Sequence, residues 1–408
     1  MRDLKQSEFN IGTLGHVDHG KTTLTKAITG VWTDRHSESL KRSMTIKLGY
    51  ADAIIKKCEG CGEDGPGMYT VGESCMDCEN KPEPFRRISL LDSPGHETLM
   101  ATAIAGSSII DAVMLVISST EPCPMPQTRE HLMLISTLGI KKIIVVQTKV
   151  DIVGREKAKA HYEQIKKFVS GTVAESAPIV PVMANKNVNV DAVLQQIAAI
   201  EPPKHDLSSD PLMYIARSFD VNKPGTPIKD LVGGVAGGSI VRGKFKIGDE
   251  IEISPGINAA RDKAKKESYE PIITTIESLS SGTDQLQEAL PGGLIAFGTT
   301  IDPAFTKTDS LVGNLVGHAG KLPQPVNSLT LKYNMLKRED IPKQAFKNGE
   351  PVILGIGTAT TVGYVKVAKK STLEIDLKRP VCADPKTKIS ILRNFAQRWR
   401  LSGFGTIA

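Results

Sequence analysis

The sequence predicts an α/β domain with a mostly parallel sheet, followed by two small β domains. Residues 9–200 alternate short apolar runs with segments of helical periodicity, which is typical of parallel strands covered by helices on both faces. After residue 211, glycines interrupt short apolar runs and helical periodicity almost disappears, which indicates a β-barrel or sandwich. The length of 408 residues suits two or three domains.

The predicted elements follow from these patterns in chain order. The predicted strands of the first domain are the apolar runs 9–14, 87–91, 112–117, 143–146 and 179–182. The predicted helices are 22–29, 97–105, 127–138, 156–169 and 190–200. The second half contains the strand-like runs 234–241, 250–253, 272–276 and 294–297. A Pro-rich segment at 201–211 and a second break near 321–326 predict domains at 1–204, 205–325 and 326–408.

The composition indicates a soluble, cytoplasmic, multidomain protein. Hydrophobic residues make up 40% and charged residues 24%, which excludes wholesale disorder and collagen-like repeats. Residues 1–8 lack the apolar core of a signal peptide, and the longest apolar stretch, 101–117, contains Asp111, so we expect no membrane association. The net charge of +6 permits a polyanionic partner without requiring one.

Residues 15–22 read GHVDHGKT and have the spacing of a phosphate-binding P-loop, with a strand before and a helix after. Glycines let backbone N–H groups point at phosphate oxygens, and the helix N-terminus adds positive potential. Lys21 would add charge toward the β- and γ-phosphates, and the Thr22 hydroxyl can ligate Mg²⁺. The alternative is a glycine-rich turn without a ligand, which the lysine and threonine in register disfavour.

Two further strand ends bear on the nucleotide. Asp92 and Gly95 lie in the turn DSPGH, where Asp92 can hold Mg²⁺ through water and the Gly95 amide can approach a γ-phosphate. An Asp-x-x-Gly turn alone is usually structural, so the position after a strand is what matters here. Another strand run is followed by TKVD, whose Asp151 can accept hydrogen bonds from guanine N1–H and its 2-amino group, which adenine lacks. Ala184 is placed to offer a backbone N–H to a base oxygen.

Four cysteines form two knuckles, Cys58-x-x-Cys61 and Cys75-x-x-Cys78, separated by 13 residues. This spacing is a strong signal for tetrahedral Zn²⁺. The intervening loop is rich in Gly, Pro and Asp and would need the metal to order it. Two local disulfides or an empty, relaxed site are the alternatives, and a reducing compartment disfavours the disulfides. We expect a structural zinc ribbon at about 56–82.

The motifs GHVDHGKT, DSPGH and TKVD together resemble those of the translational GTPases, the group that contains elongation factor Tu. The stretches 36–50, 121–131, 218–226 and 398–403 narrow the resemblance to the gamma-subunit family of archaeal and eukaryotic translation initiation factor two. The resemblance covers nearly the whole chain. It implies an α/β P-loop GTPase domain with a mostly parallel sheet, followed by two β-barrel domains, and the cofactors GTP or GDP, Mg²⁺ and Zn²⁺.

The resemblance also implies residue roles. Thr45 would ligate Mg²⁺ only when the γ-phosphate is present, His96 would orient or activate the attacking water, and a second metal would lie near Asp18 and Ser43. The implied nucleotide-binding residues are Asp18, His19, Gly20, Lys21, Thr22, Thr23, Gly95, Thr148, Lys149, Asp151, Met183, Ala184 and Asn185. The implied magnesium residues are Thr22, Thr45, Asp92, Asp18 and Ser43.

Three residues depart from the family pattern. Thr148 replaces an asparagine whose amide braces the P-loop and touches the base, and a threonine cannot make both contacts, so nucleotide affinity would be reduced. Ser43 replaces a glycine, which puts a backbone metal contact there in doubt. Met183 replaces a serine before Ala184, where the backbone amide is the important group, so we expect little loss.

The function implied by the resemblance is a GTP-dependent carrier of methionylated initiator tRNA to the small ribosomal subunit, which hydrolyses GTP on start-codon recognition. It would be the core of a heterotrimer, with an alpha subunit on the second domain and a beta subunit on the GTP-binding domain. One alternative is an elongation-type factor such as the selenocysteine-specific one, which usually carries an extra C-terminal domain. A second alternative is a GTPase that activates a metabolic enzyme, but such GTPases lack the zinc ribbon. A third is a nucleotide-bound assembly scaffold with negligible turnover, an alternative that Thr148 leaves open.

Overall fold

The computed structural model describes residues 4–33, 48–61, 65–75, 78, 80–96, 99–258, 268–336, 338, 340–342, 344–385 and 387–408. The chain forms two compact units. The first comprises Met1–Ala103 and Ile110–Pro203, and the second comprises Ile104–Ile109 and Lys204–Ala408.

The first unit is built on a seven-stranded sheet. Its strands are β1 (Asn10–Leu14), β2 (Gly49–Lys57), β3 (Tyr69–Thr70), β4 (Glu83–Asp92), β5 (Ala112–Ser118), β6 (Ile143–Thr148) and β7 (Ile179–Pro181). The spatial order is β3-β2-β4-β1-β5-β6-β7. The five neighbouring strands β4, β1, β5, β6 and β7 are parallel to one another. Strand β2 runs antiparallel to both β3 and β4. The five predicted strands are therefore present, and the sheet is mostly parallel as predicted.

Strands β2 and β3 were not predicted. In β2, buried positions alternate with partly exposed ones, so the strand lacks the continuous apolar run that marks its parallel neighbours. Strand β3 has only two residues and exists through its pairing with the end of β2. The antiparallel edge of the sheet therefore gave no signal of the kind used for the other strands.

The helices in the described part of the chain connect these strands. They are α1 (Lys21–Thr29), α2 (Met100–Ser107), α3 (Pro126–Leu138), α4 (Val150–Val153), α5 (Arg155–Val169) and α6 (Val190–Ala198). Short 3-10 turns lie at Glu59–Cys61, Pro66–Met68, Ala184–Lys186, Ile228–Asp230, Pro303–Phe305 and Lys307–Asp309. Helix α3 begins with a proline at its first position, where no backbone N–H is needed. The one-turn helix α4 was not predicted, because four residues are too few to show a helical period.

One face of the sheet packs against α1 and α6. Residues Ile11, Leu24, Ile88, Met114 and Val193 are fully buried in this core. Their burial fixes β4, β1 and β5 side by side, with the carboxyl ends of the strands at one edge. Ligands of parallel α/β sheets bind at this edge.

The second unit contains two closed six-stranded barrels. The strands of the first barrel region are β8 (Leu212–Phe219), β9 (Val235–Arg242), β10 (Phe245–Lys246), β11 (Glu250–Asn258), β12 (Tyr269–Ser281), β13 (Asp284–Leu286), β14 (Glu288–Ala289), β15 (Ile295–Thr299) and β16 (Leu315–His318). The barrel closes in the order β11-β16-β8-β9-β15-β12, because β12 pairs back with β11. Its interior includes Phe245 and Phe297, whose ring centroids lie 5.0 Å apart.

The last barrel has its own core, which includes Leu331, Val352 and Ile375. Its strands are β17 (Val326–Met335), β18 (Pro351–Ile356), β19 (Ala359–Ala368), β20 (Thr372–Val381), β21 (Ile389–Phe395) and β22 (Arg398–Ile407). They close in the order β17-β20-β19-β18-β21-β22. The predicted fold class, a P-loop α/β domain followed by two β-barrels, is confirmed. No helix in the described part of the chain is both long and apolar enough to cross a membrane.

Candidate functional site

The loop between β1 and α1 lies at the carboxyl edge of the sheet and ends at Gly20, the residue that precedes the first turn of α1 (φ 86°). Asp18, within the loop, is exposed and has a φ of 58°. Lys21 is buried, and its Nζ donates to the backbone oxygens of Gly15 at 3.0 Å and His16 at 2.7 Å. Burial lowers the pKa of Lys21 to about 8. The loop therefore holds a cation at the N-terminus of a helix, where anions bind.

Two buried histidines hold the shape of this loop. His131 in α3 accepts a hydrogen bond from the Gly15 N–H through Nδ1 at 2.6 Å. The ring nitrogens of His19 lie 3.0 Å from Val116 O and 3.0 Å from Glu121 Oε2, so a neutral ring can donate to only one of these acceptors at a time. Burial lowers the pKa of His131 to about 3 and that of His19 to about 4. Sequence reasoning used 121–131 only for the resemblance and missed these contacts.

Asp92 ends β4 beside the loop. Its Oδ2 accepts hydrogen bonds from the hydroxyls of Thr22 at 2.7 Å and Thr33 at 2.8 Å, and its Oδ1 accepts one from Thr13 at 3.1 Å. Burial raises the pKa of Asp92, and hydrogen bonds from the threonines and the charge of Lys21 oppose that shift. Mg²⁺ prefers oxygen ligands. The adjoining Thr22 hydroxyl and Asp92 carboxylate therefore fit the magnesium site that the sequence predicts.

The turn after Asp92 approaches the loop closely at Gly95. A Cβ at this position would lie 2.7 Å from Gly15 O and would also meet Lys21 Nζ, so only glycine fits without displacing the loop. His96 follows, half-buried, and its carbonyl accepts the Leu99 N–H at 3.0 Å. The structure thus brings Gly95 against the predicted phosphate cradle and places His96 one residue further on.

The predicted base-recognition residues lie at the ends of β6 and β7. Thr148 Oγ1 donates to the backbone oxygen of His19 at 2.6 Å, so a hydroxyl braces the loop at this position. Lys149 follows with a φ of 58°. Asp151 lies in α4, mostly buried, with its Oδ2 3.2 Å from Lys186 Nζ. This ion pair joins Asp151 to the short turn that contains the other predicted base contacts.

The remaining predicted residues fall into three groups. Met183 forms an isolated bridge with Val188, and Ala184 and Asn185 lie in the following 3-10 turn. Thr23 lies in the first turn of α1. Ser43 and Thr45 lie outside the described residues, so the structure does not place their predicted metal contacts.

The four predicted zinc ligands form one cluster. Their sulfur atoms all lie within 4.8 Å of one another, and none of the four cysteines is in a disulfide. Cys61 Sγ lies 3.2 Å from both Cys75 Sγ and Cys78 Sγ, and the hydrogen bond with Cys75 is the main cause of the raised pKa of Cys61. Cys58 completes the set, 3.4 Å from Cys78. Four thiols in this arrangement fit tetrahedral Zn²⁺, which would displace their protons.

Threonines 13 and 33 are site residues that sequence reasoning missed. Thr13 lies inside β1, and Thr33 follows α1 without belonging to any motif. Their hydrogen bonds to Asp92 cross 79 and 59 residues of sequence, so no local pattern reports them.

Comparisons with known proteins agree with this geometry. The family described as "Elongation factor Tu GTP binding domain" matches residues 6–203, and the family "Initiation factor eIF2 gamma, C terminal" matches 327–407. Translation initiation factor 2 subunit gamma of Methanocaldococcus jannaschii is 51% identical over 412 residues, covering 100% of this chain and 98% of that protein. The subunit of the same name from Methanococcus vannielii is 52% identical, with 98% of each chain covered.

Solved structures show the same fold. A bacterial selenocysteine-specific elongation factor superposes with a TM-score of 0.73 and 25% identity, covering 98% of this chain and 58% of that chain. Translation elongation factor SelB from Methanococcus maripaludis, solved with a GTP analogue, gives a TM-score of 0.72 at 22% identity, covering 100% and 80%. The full-length matches near 50% identity confirm the resemblance inferred from the motifs.

Proposed function

Because the chain belongs to the gamma-subunit family of translation initiation factor 2, we propose that it carries methionylated initiator tRNA to the small ribosomal subunit in its GTP-bound state. Family membership makes the chain a GTP-binding initiation-factor subunit and a translational GTPase. Delivery of the tRNA, and hydrolysis of GTP when the start codon is recognised, are the finer parts of the proposal.

One observation supports this proposal above the others: Lys21, Thr22, Asp92 and Gly95 come together at the N-terminus of α1. Lys21 would exchange two backbone oxygens for the β- and γ-phosphates. The backbone N–H of Gly95 can approach a γ-phosphate, because no Cβ separates Gly95 from the loop. A site that detects the γ-phosphate distinguishes GTP from GDP, which a switch requires.

The family implies Mg²⁺ with the nucleotide, and the residues present fit it. When bound, Mg²⁺ neutralises charge on the β- and γ-phosphates. We assign Thr22 as a direct ligand and Asp92 as the carboxylate that holds the ion through water. We keep Thr45 as the ligand that depends on the γ-phosphate, and Asp18 and Ser43 as residues near a second ion.

GTP hydrolysis requires mainly positioning and electrostatic stabilisation. We propose that His96 orients the attacking water once the ribosome has activated the factor. Its place directly after Gly95 supports this role. Intrinsic hydrolysis would then be slow, because His96 would reach the γ-phosphate only in the activated state.

Guanine recognition is assigned to Asp151, with the Ala184 backbone N–H facing a base oxygen and Lys149, Met183 and Asn185 forming the surroundings. Lys186, which now pairs with Asp151, is largely exposed and can leave when guanine offers its own donors. Thr148 supplies the P-loop brace by its hydroxyl. The remaining nucleotide contacts are assigned to the loop residues Asp18, His19 and Gly20 and to Thr23.

The partners follow from the same family. We propose a heterotrimer in which an alpha subunit binds domain 205–325 and a beta subunit binds the GTP-binding domain 1–204, with domain 326–408 completing the chain. We assign one structural Zn²⁺ to Cys58, Cys61, Cys75 and Cys78. Since protein synthesis takes place in the cytoplasm, family membership also supports a cytoplasmic location.

Filter binding of methionylated initiator tRNA with GTP, with GDP and with neither tests the proposal. We expect the tightest binding with GTP, and equal affinity in all three states would overturn the switch. Methionylated elongator tRNA is the matched control for initiator specificity. Preference for selenocysteinyl-tRNA would instead support the elongation-type alternative, although identity is 25% to that factor and 51% to the initiation subunit.

A further inference from the structure

Thr33 contacts Asp92, the carboxylate that we assign to the magnesium site, although Thr33 belongs to none of the nucleotide-binding motifs. It lies four residues beyond the end of α1 and is partly buried. Its hydroxyl donates to Asp92 Oδ2 at 2.8 Å, nearly as short as the 2.7 Å bond from Thr22 to the same oxygen. Thr33 therefore shares an acceptor atom with the residue that we assign as the direct magnesium ligand.

The hydrogen bonds to Asp92 fix the orientation of its side chain. An ionised carboxylate offers about four acceptor positions, and three are taken by the hydroxyls of Thr13, Thr22 and Thr33. These donors come from three places in the chain: β1, α1 and the segment after α1. Two of them meet on Oδ2, so loss of the Thr33 hydroxyl would leave that oxygen held by Thr22 alone.

Gly49 makes room for this contact. It starts β2 and pairs directly with Asp92 in the sheet. A Cβ on Gly49 would lie 2.7 Å from Thr33 Cβ, 3.1 Å from Thr33 Oγ1 and 3.3 Å from Asp92 Cβ. Contacts below 3 Å do not occur between such atoms, so any larger residue would push Thr33 away from the carboxylate.

We infer that Thr33 is a positioning residue for the nucleotide-bound Mg²⁺, acting through Asp92, and that Gly49 is the residue that admits it. This inference rests on the proposed function, because it requires a magnesium–guanine nucleotide complex at the site. Thr33 does not touch the ion in this assignment. It holds the carboxylate in the orientation that suits a magnesium-bound water, and that orientation costs no rearrangement when the ion arrives.

The test separates magnesium affinity from nucleotide affinity. Release of a fluorescent GDP analogue from the full chain is followed across a magnesium titration and in EDTA, for the unmodified protein and for Thr33→Val, Thr33→Ser and Gly49→Ala. We expect Thr33→Val to raise the Mg²⁺ concentration for half-maximal slowing of release by about tenfold, in line with a hydrogen bond to a charged group. The release rate in EDTA should stay unchanged, and Thr33→Ser should restore the magnesium response.

Gly49→Ala should show the same signature without altering the Thr33 hydroxyl itself, and it keeps the test valid if Thr33→Val folds poorly. Thr137→Val is the matched control, because it removes a threonine hydroxyl bonded to Met133 O at 2.8 Å within α3, away from Asp92. Equal acceleration of release with and without Mg²⁺ would show a merely structural role and overturn the inference, as would an unchanged magnesium response in both variants. If the unmodified protein fails to bind the GDP analogue, the proposed function fails instead.

Discussion

Thr148 offers a direct test of how a hydroxyl group holds the P-loop of this chain. Its hydroxyl donates to the His19 backbone oxygen at 2.6 Å, and both groups are buried. Thr148→Val keeps the shape of the side chain and removes only the donor. A buried acceptor left without its partner costs about 1–3 kcal/mol. The ordered conformation of the loop between Gly15 and Gly20 should therefore be destabilised by a free energy in that range.

The effect should appear in nucleotide affinity, because the loop must be ordered to wrap a phosphate. A cost of about 2 kcal/mol corresponds to a roughly 30-fold rise in the Kd for GDP. Thr148→Asn should act in the opposite direction, since an amide can brace the loop and also reach the base. A Cβ on Gly20 would lie 3.8 Å from Thr148 Oγ1, so the neighbouring backbone leaves some space for the longer side chain.

Isothermal titration of GDP in excess Mg²⁺ measures both variants. Ser119→Ala is the control: it removes a hydroxyl that donates to Thr148 O at 2.8 Å, an oxygen that keeps the Ser119 backbone N–H at 3.0 Å. We expect only a small change there. Unchanged GDP affinity in a folded Thr148→Val protein would refute the brace, and weaker binding by Thr148→Asn would refute the reasoning on the asparagine.

Four further predictions address the base, the metal, the catalytic step and pH. Asp151→Asn should shift the nucleotide preference toward xanthosine nucleotides, whose 2-oxo group needs a hydrogen-bond donor. If ATP competes as well as GTP for the unmodified protein, the base assignment is wrong. The purified chain should contain about one zinc by elemental analysis. Cys75→Ser should lower that content and the unfolding temperature, because Met68 and Tyr69 between the knuckles lie in the core. His96→Ala should preserve GTP and tRNA binding while reducing ribosome-stimulated hydrolysis by at least ~10²-fold, and an unchanged stimulated rate would move this role to another residue. His131 is neutral when folded, with a pKa of about 3 against an ordinary 6.5, so its contribution to stability is lost as pH falls below 6.5. By pH 5 this loss amounts to about 2 kcal/mol of the free energy of unfolding. Measured by urea unfolding, this free energy should depend less on pH in His131→Gln than in the unmodified protein. Parallel pH profiles for the two proteins would contradict this role of His131.

The site residues that could be predicted from the sequence lie close together in short segments of the chain. Lys21 and Thr22 are adjacent, Asp92 and Gly95 share one turn, and each cysteine pair spans four residues. The parallel strands were also predictable, because burial on both faces leaves continuous apolar runs. Strand β2 was not predicted, because its buried and partly exposed residues alternate and it lacks a continuous apolar run.

The supporting contacts could not be predicted because they join common residue types across long separations. His131 reaches Gly15 over 116 residues, and Glu121 reaches His19 over 102. Nothing in a lone histidine or threonine distinguishes a residue that holds the P-loop from one that only packs. The fold supplies that information by bringing the ends of β1, β4 and β5 to the same edge of the sheet.

The charge at the centre of the site explains why so many neutral groups surround it. Lys21 is buried as a cation whose nearest partners are two backbone oxygens, and burial lowers its pKa to about 8. Taking an ammonium out of water costs several kcal/mol, which neutral dipoles only partly offset. A polyphosphate adds negative charge beside Lys21, so part of this cost is recovered when the nucleotide binds. The buried histidines and threonines hold the backbone of the loop and the carboxylate of Asp92 in place. The charges of Asp92 and Asp18 oppose the effect of burial on Lys21, but burial remains the larger effect.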